Sequence, residues 1–245
     1  MLVNQNKDAY DRETEKYVVA YIDLLGVTSK IKDPNHEKIS MNKLHNLYTF
    51  SIDLTRKIAI SGNKDIIFKI FSDNIIIAKK ITEATIKDDI YCLFSCVGHF
   101  QELAASDSVG WLLRGGITIG DLFIDDVMVW GSALLRAYEL EDKIAIYPRV
   151  IIDDKVIEYV SREDRTYDFI RYDNDGFAFL NYLNNCHFVG RMLMEGFEIM
   201  KNEAGSSPSD RVIQKLIWHK NFVNNELDIK NEKGEKKYRL QYKKY

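Results

Sequence analysis

The sequence predicts an α+β fold in which a split β-α-β-β-α-β core forms an antiparallel sheet with helices mainly on one face. Three observations support this prediction. Segments of strand and helix character alternate along residues 1–153, in the order strand, helix, hairpin, helix, strand, strand, helix, strand. The 46% hydrophobic and 29% charged residues are ordinary for a globular protein. No apolar run approaches the ~20 residues that span a bilayer, so no membrane segment is expected.

The first elements are a buried strand, a turn and a long helix. Residues 16–24 (KYVVAYIDL) form a continuous apolar and β-branched run, which is typical of a central strand. Gly26 then supplies a sharp turn. Residues 39–61 carry apolar residues at a spacing that suits one buried helical stripe, and the turn residues Ser61-Gly62-Asn63 end that helix.

A hairpin and a second helix follow. Residues 66–72 (IIFKIFS) and 74–81 (NIIIAKKI) are β-rich segments, and Asp73 lies between them, which indicates a tight hairpin. Residues 84–105 then predict a helix with regularly spaced apolar positions.

The core continues with a glycine-punctuated strand. Residues 111–124 (WLLRGGITIGDLFI) predict this strand, or a strand pair. Residues 131–145 predict a third helix, and residues 149–153 another strand. The order contains the ferredoxin-like β-α-β-β-α-β arrangement with an appended pair of elements.

The remaining residues, 154–245, are expected to pack on the same domain as the core of residues 1–153. A further hairpin is predicted over residues 166–183, around an Asn-Asp-Gly turn. Residues 186–227 have a helical pattern that is broken at 205–208 by Gly, Ser and Pro.

Charge and cysteine content bear on compartment and partners. The net charge of −3 gives no global basic field for nucleic acid or for an anionic membrane. Three cysteines without paired spacing and a polar N-terminal stretch favour the cytoplasm over secretion. The stretch from Lys230 to Tyr245 has seven Lys or Arg against two Glu. It is either a solvated tail or a group of cations that steers an anionic ligand or contacts a second copy of the chain.

Two aspartates form the candidate site. Asp23 ends an otherwise apolar strand, where a buried charge is costly unless it is paired or bound to a metal. Asp73 lies at the tip of the next hairpin. The first strand and this hairpin are adjacent in a split β-α-β-β-α-β sheet, so both carboxylates can reach one point. The alternative for each residue is a plain turn or capping aspartate.

Paired carboxylates are the oxygen ligands that Mg²⁺ or Mn²⁺ takes in proteins. Two such ions activate an attacking hydroxyl and neutralise a leaving pyrophosphate, and an oriented intramolecular attack gains effective molarities of about 10⁵–10⁸ M. The loop residues Leu25, Gly26, Val27 and Thr28 follow Asp23, and the amides after the glycine are placed to cradle phosphates. The pattern therefore predicts a two-metal site for a nucleoside triphosphate that closes on itself.

Four segments resemble the motifs of class III nucleotide cyclases. AYIDLLGVTSKI is similar to F-x-D-[IL]-x-G-[FV]-[TS], and FKIFSDNIIIA to K-x-x-G-D with Ser72 in place of glycine. LLRGGITIGDL resembles the R-x-G-[IV]-x-x-G strand, and VWGSALLRAYELE the W-G-x-x-V-N-x-A-x-R helix. The similarity covers roughly residues 16–153.

The resemblance implies a homodimer whose two active sites lie at the subunit interface. It implies that Asp23, the carbonyl of Leu24 and Asp73 coordinate both metal ions. Lys69 falls where those cyclases place a lysine that reads the base.

The sequence departs from that family in the base pocket and in the third helix. Met128 or Val129 stands where purine cyclases have a second polar base-reading residue. Leu135 and Glu139 stand where they have the Asn and Arg that stabilise the transition state.

Two arginines are candidates to replace the missing charge, Arg114 and Arg136, and the sequence does not distinguish them. Arg114 precedes Gly115-Gly116 on a strand. It either binds phosphate or serves as a structural arginine that pairs with a carboxylate.

The departures resemble one branch of the family, the pyrimidine nucleotide cyclases of the bacterial Pycsar antiviral systems. Ser72-Asp73-Asn74, Arg114 to Gly120, Gly131 to Glu141 and Tyr147 to Val150 carry that match. The resemblance implies synthesis of cyclic UMP, or of cyclic CMP, upon phage infection and activation of a separate effector protein. Most of the branch is thought to use UTP, which favours cyclic UMP here.

Other classes of function remain open at this point. A degenerate cyclase-like module that senses a nucleotide without turnover fits the loss of Asn and Arg. A relative of palm-type polymerases or diguanylate cyclases shares paired acids, but no GGDEF-like turn joins the hairpin strands. Cys92, Cys96 and His99 suggest a zinc site that only Cys186-His187 could complete, or else thiols packed in a helix as small hydrophobes.

Overall fold

The computed structural model describes residues 12–58, 65–184 and 190–231. Within these ranges the strands are β1 (Glu15–Leu24), β2 (Ile66–Phe71), β3 (Asn74–Lys80), β4 (Leu113–Ile124), β5 (Val129–Trp130), β6 (Val150–Ile152), β7 (Ile170–Tyr172) and β8 (Ala178–Leu180). The α-helices are α1 (Val27–Ile31), α2 (Glu37–Ile58), α3 (Ile86–Ala105), α4 (Ser132–Glu139), α5 (Asp154–Ile157), α6 (Gly190–Ala204) and α7 (Asp210–Asn231).

One sheet organises the fold, with the strand order β2-β3-β1-β4-β6-β8-β7 and β5 paired to β4 outside this path. The pairs β2–β3, β3–β1 and β1–β4 are antiparallel, and β4–β6 is parallel. The order β2-β3-β1-β4, with α2 and α3 as the connecting helices, is that of a split β-α-β-β-α-β core. The predicted α+β class and the predicted hairpin are therefore confirmed.

The two faces of β1 pack against different helices. Alternate residues of a strand point to opposite faces, and Val18, Ala20 and Ile22 are buried in one cluster with residues of α2 and α3. Tyr17 and Val19 instead share a cluster with α4. The two long core helices thus cover one face, as predicted, and α4 covers the other.

The predicted third helix differs from the structure in its second half. Helix α4 ends at Glu139, and residues Leu140–Ile144 form a π-helical turn. An apolar pattern does not separate these two kinds of helix over one turn, because the spacing of buried positions is similar. The π turn matters because it carries Glu141.

The C-terminal residues pack on the core. Phe179 of β8 contacts Trp218 and Phe222 of α7 through edge-on aromatic rings. Glu203 of α6 accepts a hydrogen bond from Trp111 Nε1 at 3.1 Å and pairs with Lys43 of α2 at 3.3 Å. These contacts join described residues after 153 to the rest of the fold, and the expected domain organisation with its division at residue 153 stays a prediction.

Among the described residues, no helix is both long and apolar enough to cross a membrane. The basic stretch that begins at Lys230 lies almost entirely outside the described residues, apart from the last backbone positions of α7.

Candidate functional site

Asp23 is the last residue but one of β1 and lies on the face of the sheet that α4 covers. It lies opposite Asn74 of β3 on one side and Arg114 of β4 on the other. Its side chain is only 19% exposed. Burial raises the pKa of the Asp23 carboxyl group, and the hydrogen bond from Arg114 opposes that rise. A charged Asp23 is therefore held in a low-dielectric position between polar neighbours.

Asp73 lies beside Asp23 at the turn between β2 and β3. The Leu24 amide donates a hydrogen bond to the Asp73 carbonyl at 3.1 Å, which ties the end of β1 to this turn. Ser72 has a φ of 57°, the left-handed conformation that tight hairpins require at such positions. The negative charge of Asp73 further raises the pKa of Asp23. The structure thus brings the two predicted aspartates into electrostatic contact.

Asn74 fixes the orientation of the Asp73 side chain. Its Nδ2 donates to Asp73 Oδ1 at 3.3 Å, and its Oδ1 accepts a hydrogen bond from the Tyr21 hydroxyl at 2.7 Å. The Tyr48 hydroxyl holds the same turn by donating to the Ser72 carbonyl at 2.8 Å. The Asp73 turn is therefore restrained from both sides of the sheet.

Gly26 forms the turn between β1 and α1. Its φ of 85° and ψ of 4° are left-handed, and an added Cβ meets no atom within 4 Å. Glycine is therefore favoured here by backbone conformation rather than by space. Helix α1 begins at Val27, so the amides of Val27 and Thr28 have no carbonyl partner four residues earlier in the helix. Together with Leu25, they are the predicted phosphate loop.

Arg114 bridges two carboxylates on the same face. Its Nε donates to Asp23 Oδ2 at 3.2 Å, and its Nη2 lies at an ion-pair distance of 2.7 Å from Glu141 Oε1, although the angle is not that of a hydrogen bond. Glu141 is 3% exposed. Burial raises the pKa of Glu141 to about 7, while the positive charge of Arg114 opposes this. The sequence left Arg114 as either a phosphate ligand or a structural arginine that pairs with a carboxylate. The structure shows the carboxylate pairs, and phosphate binding by Arg114 stays a prediction.

The π turn places Glu141 against Arg114, and Gly116 makes the approach possible. A Cβ on Gly116 would lie 2.4 Å from the Ala137 carbonyl oxygen and 2.4 Å from Leu140 Cβ. The turn therefore packs directly on the backbone of β4. π-helical turns of this kind recur at functional sites.

Arg136, the other candidate arginine, is engaged elsewhere. Its Nε and Nη2 each donate to Asp153 at 3.0 Å, and Thr118 Oγ1 donates to the same carboxylate at 2.6 Å. Burial would raise the pKa of Asp153, but these hydrogen bonds outweigh it and hold the pKa below its ordinary value. Leu135, where the family motif has Asn, is 61% exposed. Helix α4 therefore brings neither a cation nor an amide to Asp23.

Lys69 lines a cavity of about 460 Å³ next to the paired aspartates. Tyr21 and Asn74 form part of its wall, as do Met128 and Val129. Lys69 Nζ lies 3.4 Å from Asp126 Oδ1. The polar partner of Lys69 is thus Asp126, two residues before the position that the family motif indicates.

Sequence reasoning missed Asp126 and the role of Glu141. The motif comparison pointed to Met128 or Val129 as the second base-reading position. Asp126 precedes that position in the loop before β5, so the comparison did not identify it. Glu141 ends the matched helix segment, and its place between apolar residues Leu140 and Ile144 was the available signal of a buried acid. The sequence alone does not reveal that Asp126 pairs with Lys69 or that Glu141 pairs with Arg114.

The zinc interpretation has no support among the described residues, which leave out Cys186 and His187. No group of three or more His, Cys, Asp or Glu that could hold a metal is found there. Cys96 is buried in α3, and Cys92 lies one turn before it. The thiols pack as small hydrophobes.

Comparisons with known proteins find similarity at the level of structure. The chain is similar to the crystal structure of the guanylyl cyclase Cya2, with a TM-score of 0.48 and 14% identity, over 69% of this chain and 91% of that chain. It is also similar to the adenylyl cyclase CyaB from P. aeruginosa, with a TM-score of 0.47 and 17% identity, over 69% of this chain and 94% of that chain. No protein-family model and no curated protein matches the sequence.

Proposed function

We propose that the protein is a metal-dependent nucleotide cyclase that converts UTP, in preference to CTP, into the 3′,5′-cyclic monophosphate and pyrophosphate. The observation that carries this proposal is the juxtaposition of Asp23 and Asp73 at adjoining strand ends, joined by the Leu24–Asp73 backbone hydrogen bond. A glycine turn and the partly buried Arg114 flank the pair.

Asp23, Asp73 and the carbonyl of Leu24 fit a pair of Mg²⁺ or Mn²⁺ ions. All donors are oxygen atoms, as these hard cations require. Burial and the neighbouring Asp73 charge both raise the pKa of Asp23, so a divalent cation between the two carboxylates relieves their repulsion. When bound, such ions activate the 3′ hydroxyl of the substrate and neutralise the leaving pyrophosphate.

The chain's own residues bind and orient the triphosphate. The amides that follow Gly26, at the start of α1, donate hydrogen bonds to the phosphate oxygens. Arg114 is positioned to contact a phosphate oxygen from the strand next to Asp23, with Glu141 restraining the far side of its guanidinium. The 3′ oxygen and the α-phosphate belong to one molecule, so positioning supplies much of the rate.

The cavity beside Lys69 accepts the base. Lys69 offers a donor and Asp126 an acceptor, and the edge of any of the four bases can satisfy one of each. This pair therefore does not choose the base by itself. The preference for a pyrimidine rests on the motif resemblance through Ser72-Asp73-Asn74 and the segment from Gly131 to Glu141.

A homodimer accounts for an apolar surface on the open side of the site. Phe71 is 82% exposed, Val127 89% and Trp130 67%. Two adjoining cavities that share Met128 connect these residues into one surface. Large exposed apolar surfaces of this kind mark sites of association. The cyclic product is proposed to activate a separate effector protein in antiphage defence, as the motif resemblance implies.

A reaction with all four triphosphates tests the proposal. Purified protein with Mn²⁺ is expected to form cyclic UMP, detected by mass spectrometry, with less cyclic CMP and no cyclic purine nucleotide. Asp23→Ala and Asp73→Ala should each lower turnover to background, since each removes a metal ligand, while circular dichroism shows a folded chain. Asp53→Ala, at an exposed carboxylate of α2 away from the cavity, is the control. Absence of cyclic product from every triphosphate rejects the proposal.

A nucleotide sensor without turnover is the second candidate. It is favoured by one observation: α4 presents the exposed Leu135 and the sequestered Arg136, so it offers no group to stabilise a transition state. Calorimetry that shows tight UTP binding without any cyclic product would support this candidate instead.

A further inference from the structure

Helix α6 packs directly on the segment that joins α3 to β4. A Cβ added to Gly196 of α6 would overlap the Ala105 carbonyl oxygen, so the backbone of α6 lies against the end of α3. Gly110 has a left-handed φ of 69°, and an added Cβ there would lie 2.5 Å from Ile199 Cγ2. The segment that leads into β4 is therefore held against α6.

The same segment holds the end of β1. Trp111 is 3% exposed, and its amide donates a hydrogen bond to the Ala104 carbonyl at 2.8 Å. The carbonyl of the next residue, Leu112, accepts a hydrogen bond from the Leu25 amide at 2.8 Å. Leu25 precedes Gly26 in the turn between β1 and α1. The position of this turn therefore depends on the segment against which α6 packs.

Glu203, near the C-terminal end of α6, makes a direct link to α1. Its carboxylate accepts hydrogen bonds from the Lys30 ammonium group in α1, from Trp111 Nε1 at 3.1 Å and from the Lys43 ammonium group in α2 at 3.3 Å. The Lys30 side chain is 15% exposed and that of Glu203 33%. A single, partly buried carboxylate thus joins α1, α2 and the start of the segment before β4.

Lys30 is placed to carry the effect of Glu203 to α1. Its ammonium group also lies 4.9 Å from the centre of the Trp111 ring, within the range of a cation–π contact. Helix α1 has only five residues, so few backbone hydrogen bonds of its own restrain it. Without the charge of Glu203, Lys30 and Lys43 would remain as neighbouring like charges, and their repulsion would favour displacement of α1.

We propose that Glu203 is a positioning residue of the candidate site, which acts through Lys30 to hold α1 and the Gly26 turn in place for the triphosphate. The inference rests on the proposed function, in which this turn binds the phosphates. Asp23 and Leu24 run directly into the turn, so a displaced α1 changes the position of the phosphate-binding amides relative to the metal ligands. Helix α6, outside the segments that carry the motifs, would then set the geometry of the site.

Glu203→Gln tests this assignment, because glutamine keeps an oxygen for Trp111 Nε1 and removes the charge that pairs with Lys30. Hydrogen exchange of the full chain without nucleotide, read by mass spectrometry, should be faster in the peptide of residues 24–32. With UTP and Mn²⁺, KM should rise about tenfold while kcat changes less than about twofold, since the phosphates are bound in both the ground state and the transition state.

Further variants identify the route from Glu203 to the turn. Lys30→Met should raise KM as Glu203→Gln does, and the double variant should raise it no further, because both changes break the same link. Glu198→Gln is the matched control, since it removes a charge from the same helix where Glu198 pairs with Lys201 of α6 at 2.6 Å. This control should keep the hydrogen exchange and the KM of the wild type.

The outcomes separate this inference from the proposed function. If the wild type cyclises UTP and Glu203→Gln keeps its KM, the inference fails and the function stands; faster exchange with an unchanged KM shows that Glu203 only stabilises the fold. If no triphosphate is cyclised, the function fails, and calorimetry of UTP binding with Mg²⁺ decides the inference. Weaker binding by Glu203→Gln then supports the positioning role, and equal binding, or a wild type that binds no UTP, overturns it. Should Glu203→Gln not fold, Lys30→Met decides by the same measurements.

Discussion

At the scale of single residues, the partner of a charged or polar side chain decides what that side chain can do. Arg114 and Arg136 are both arginines near the site, yet Arg114 faces Asp23 and Glu141 while Arg136 is held by Asp153. Arg136 therefore contributes rigidity between α4 and β6. Arg114 instead lies beside Asp23, where the proposed function puts the substrate.

The surroundings of His219 likewise determine its protonation state, and this affects the stability of the folded protein. It is wholly buried, and its ring stacks on Tyr182 and Phe197 at centroid distances of 6.3 and 6.1 Å. Burial lowers the pKa of His219 to about 3. The imidazole is therefore neutral in the folded protein at any pH near neutrality.

We expect His219 to make the folded state less stable as the pH falls from about 6.5 towards 3. In that interval the unfolded chain binds a proton that the folded chain excludes, so the free energy of unfolding drops by up to about 1.4 kcal/mol per pH unit. Above this interval the contribution is constant. Urea denaturation of the wild type and of His219→Phe between pH 4 and 7 measures it. In His219→Phe, the free energy of unfolding should fall less steeply with decreasing pH than in the wild type. His45→Phe, at an exposed histidine, is the control and should keep the wild-type slope. An equal slope in all three proteins would contradict the role given to His219.

At the scale of elements, the glycines of β4 allow the close packing that assembles the site. A Cβ on Gly115 would lie 2.5 Å from the Tyr21 carbonyl oxygen, and one on Gly116 would meet the backbone of α4. Neither neighbour is a flexible side chain. The pair Gly115-Gly116 thus lets β1 and the π turn approach β4 closely enough for Asp23, Arg114 and Glu141 to meet.

Gly116→Ala is expected to destabilise the protein by about 1–3 kcal/mol, because the added methyl group forces the π turn away from β4. Urea denaturation measures the loss. The matched control is Gly98→Ala in α3, where an added Cβ meets Phe169 and Tyr182 only at ordinary contact distances of 3.7 Å. Since alanine favours helix, this control should be neutral or stabilised by up to ~1 kcal/mol. A Gly116→Ala protein as stable as the wild type would show that the turn can shift without cost.

Local pattern was sufficient for most elements but not for the partners within the site. The apolar run of β1 and the hairpin around Asp73 follow from neighbouring residues, and topology then brings Asp23 and Asp73 together. Glu141 meets Arg114 through the fold rather than through the local sequence, and no local periodicity encodes such a contact. Asp126 reaches Lys69 because of the conformation of an irregular loop. The residues that sequence reasoning missed, Asp126 and Glu141, are those whose role depends on a partner far away in the sequence.

At the scale of the whole molecule, the apolar surface and the site open on the same side. The surface of Phe71, Val127 and Trp130 borders the cavity that holds Lys69, and α4 with Leu135 lies on the same face of the sheet as Asp23. In the proposed homodimer with interfacial sites, which the motif resemblance implies, a two-fold axis through this side would set the Asp23 and Asp73 metal site of one copy against the Lys69 base cavity of the other. Each complete site would then take residues from two chains.

Mixing of two inactive variants tests this arrangement of the molecule. Asp23→Ala damages the metal half-site, and Lys69→Ala damages the base half-site. In a random mixture about half of the dimers are heterodimers, each with one intact site, so roughly one quarter of wild-type turnover should return. Mixing Asp23→Ala with Asp73→Ala is the control, because both changes damage the same half-site and no dimer keeps an intact one. Recovery of turnover only in the mixture of Asp23→Ala with Lys69→Ala supports sites shared between two chains. If subunit exchange is verified and neither mixture recovers turnover, both half-sites lie within a single chain.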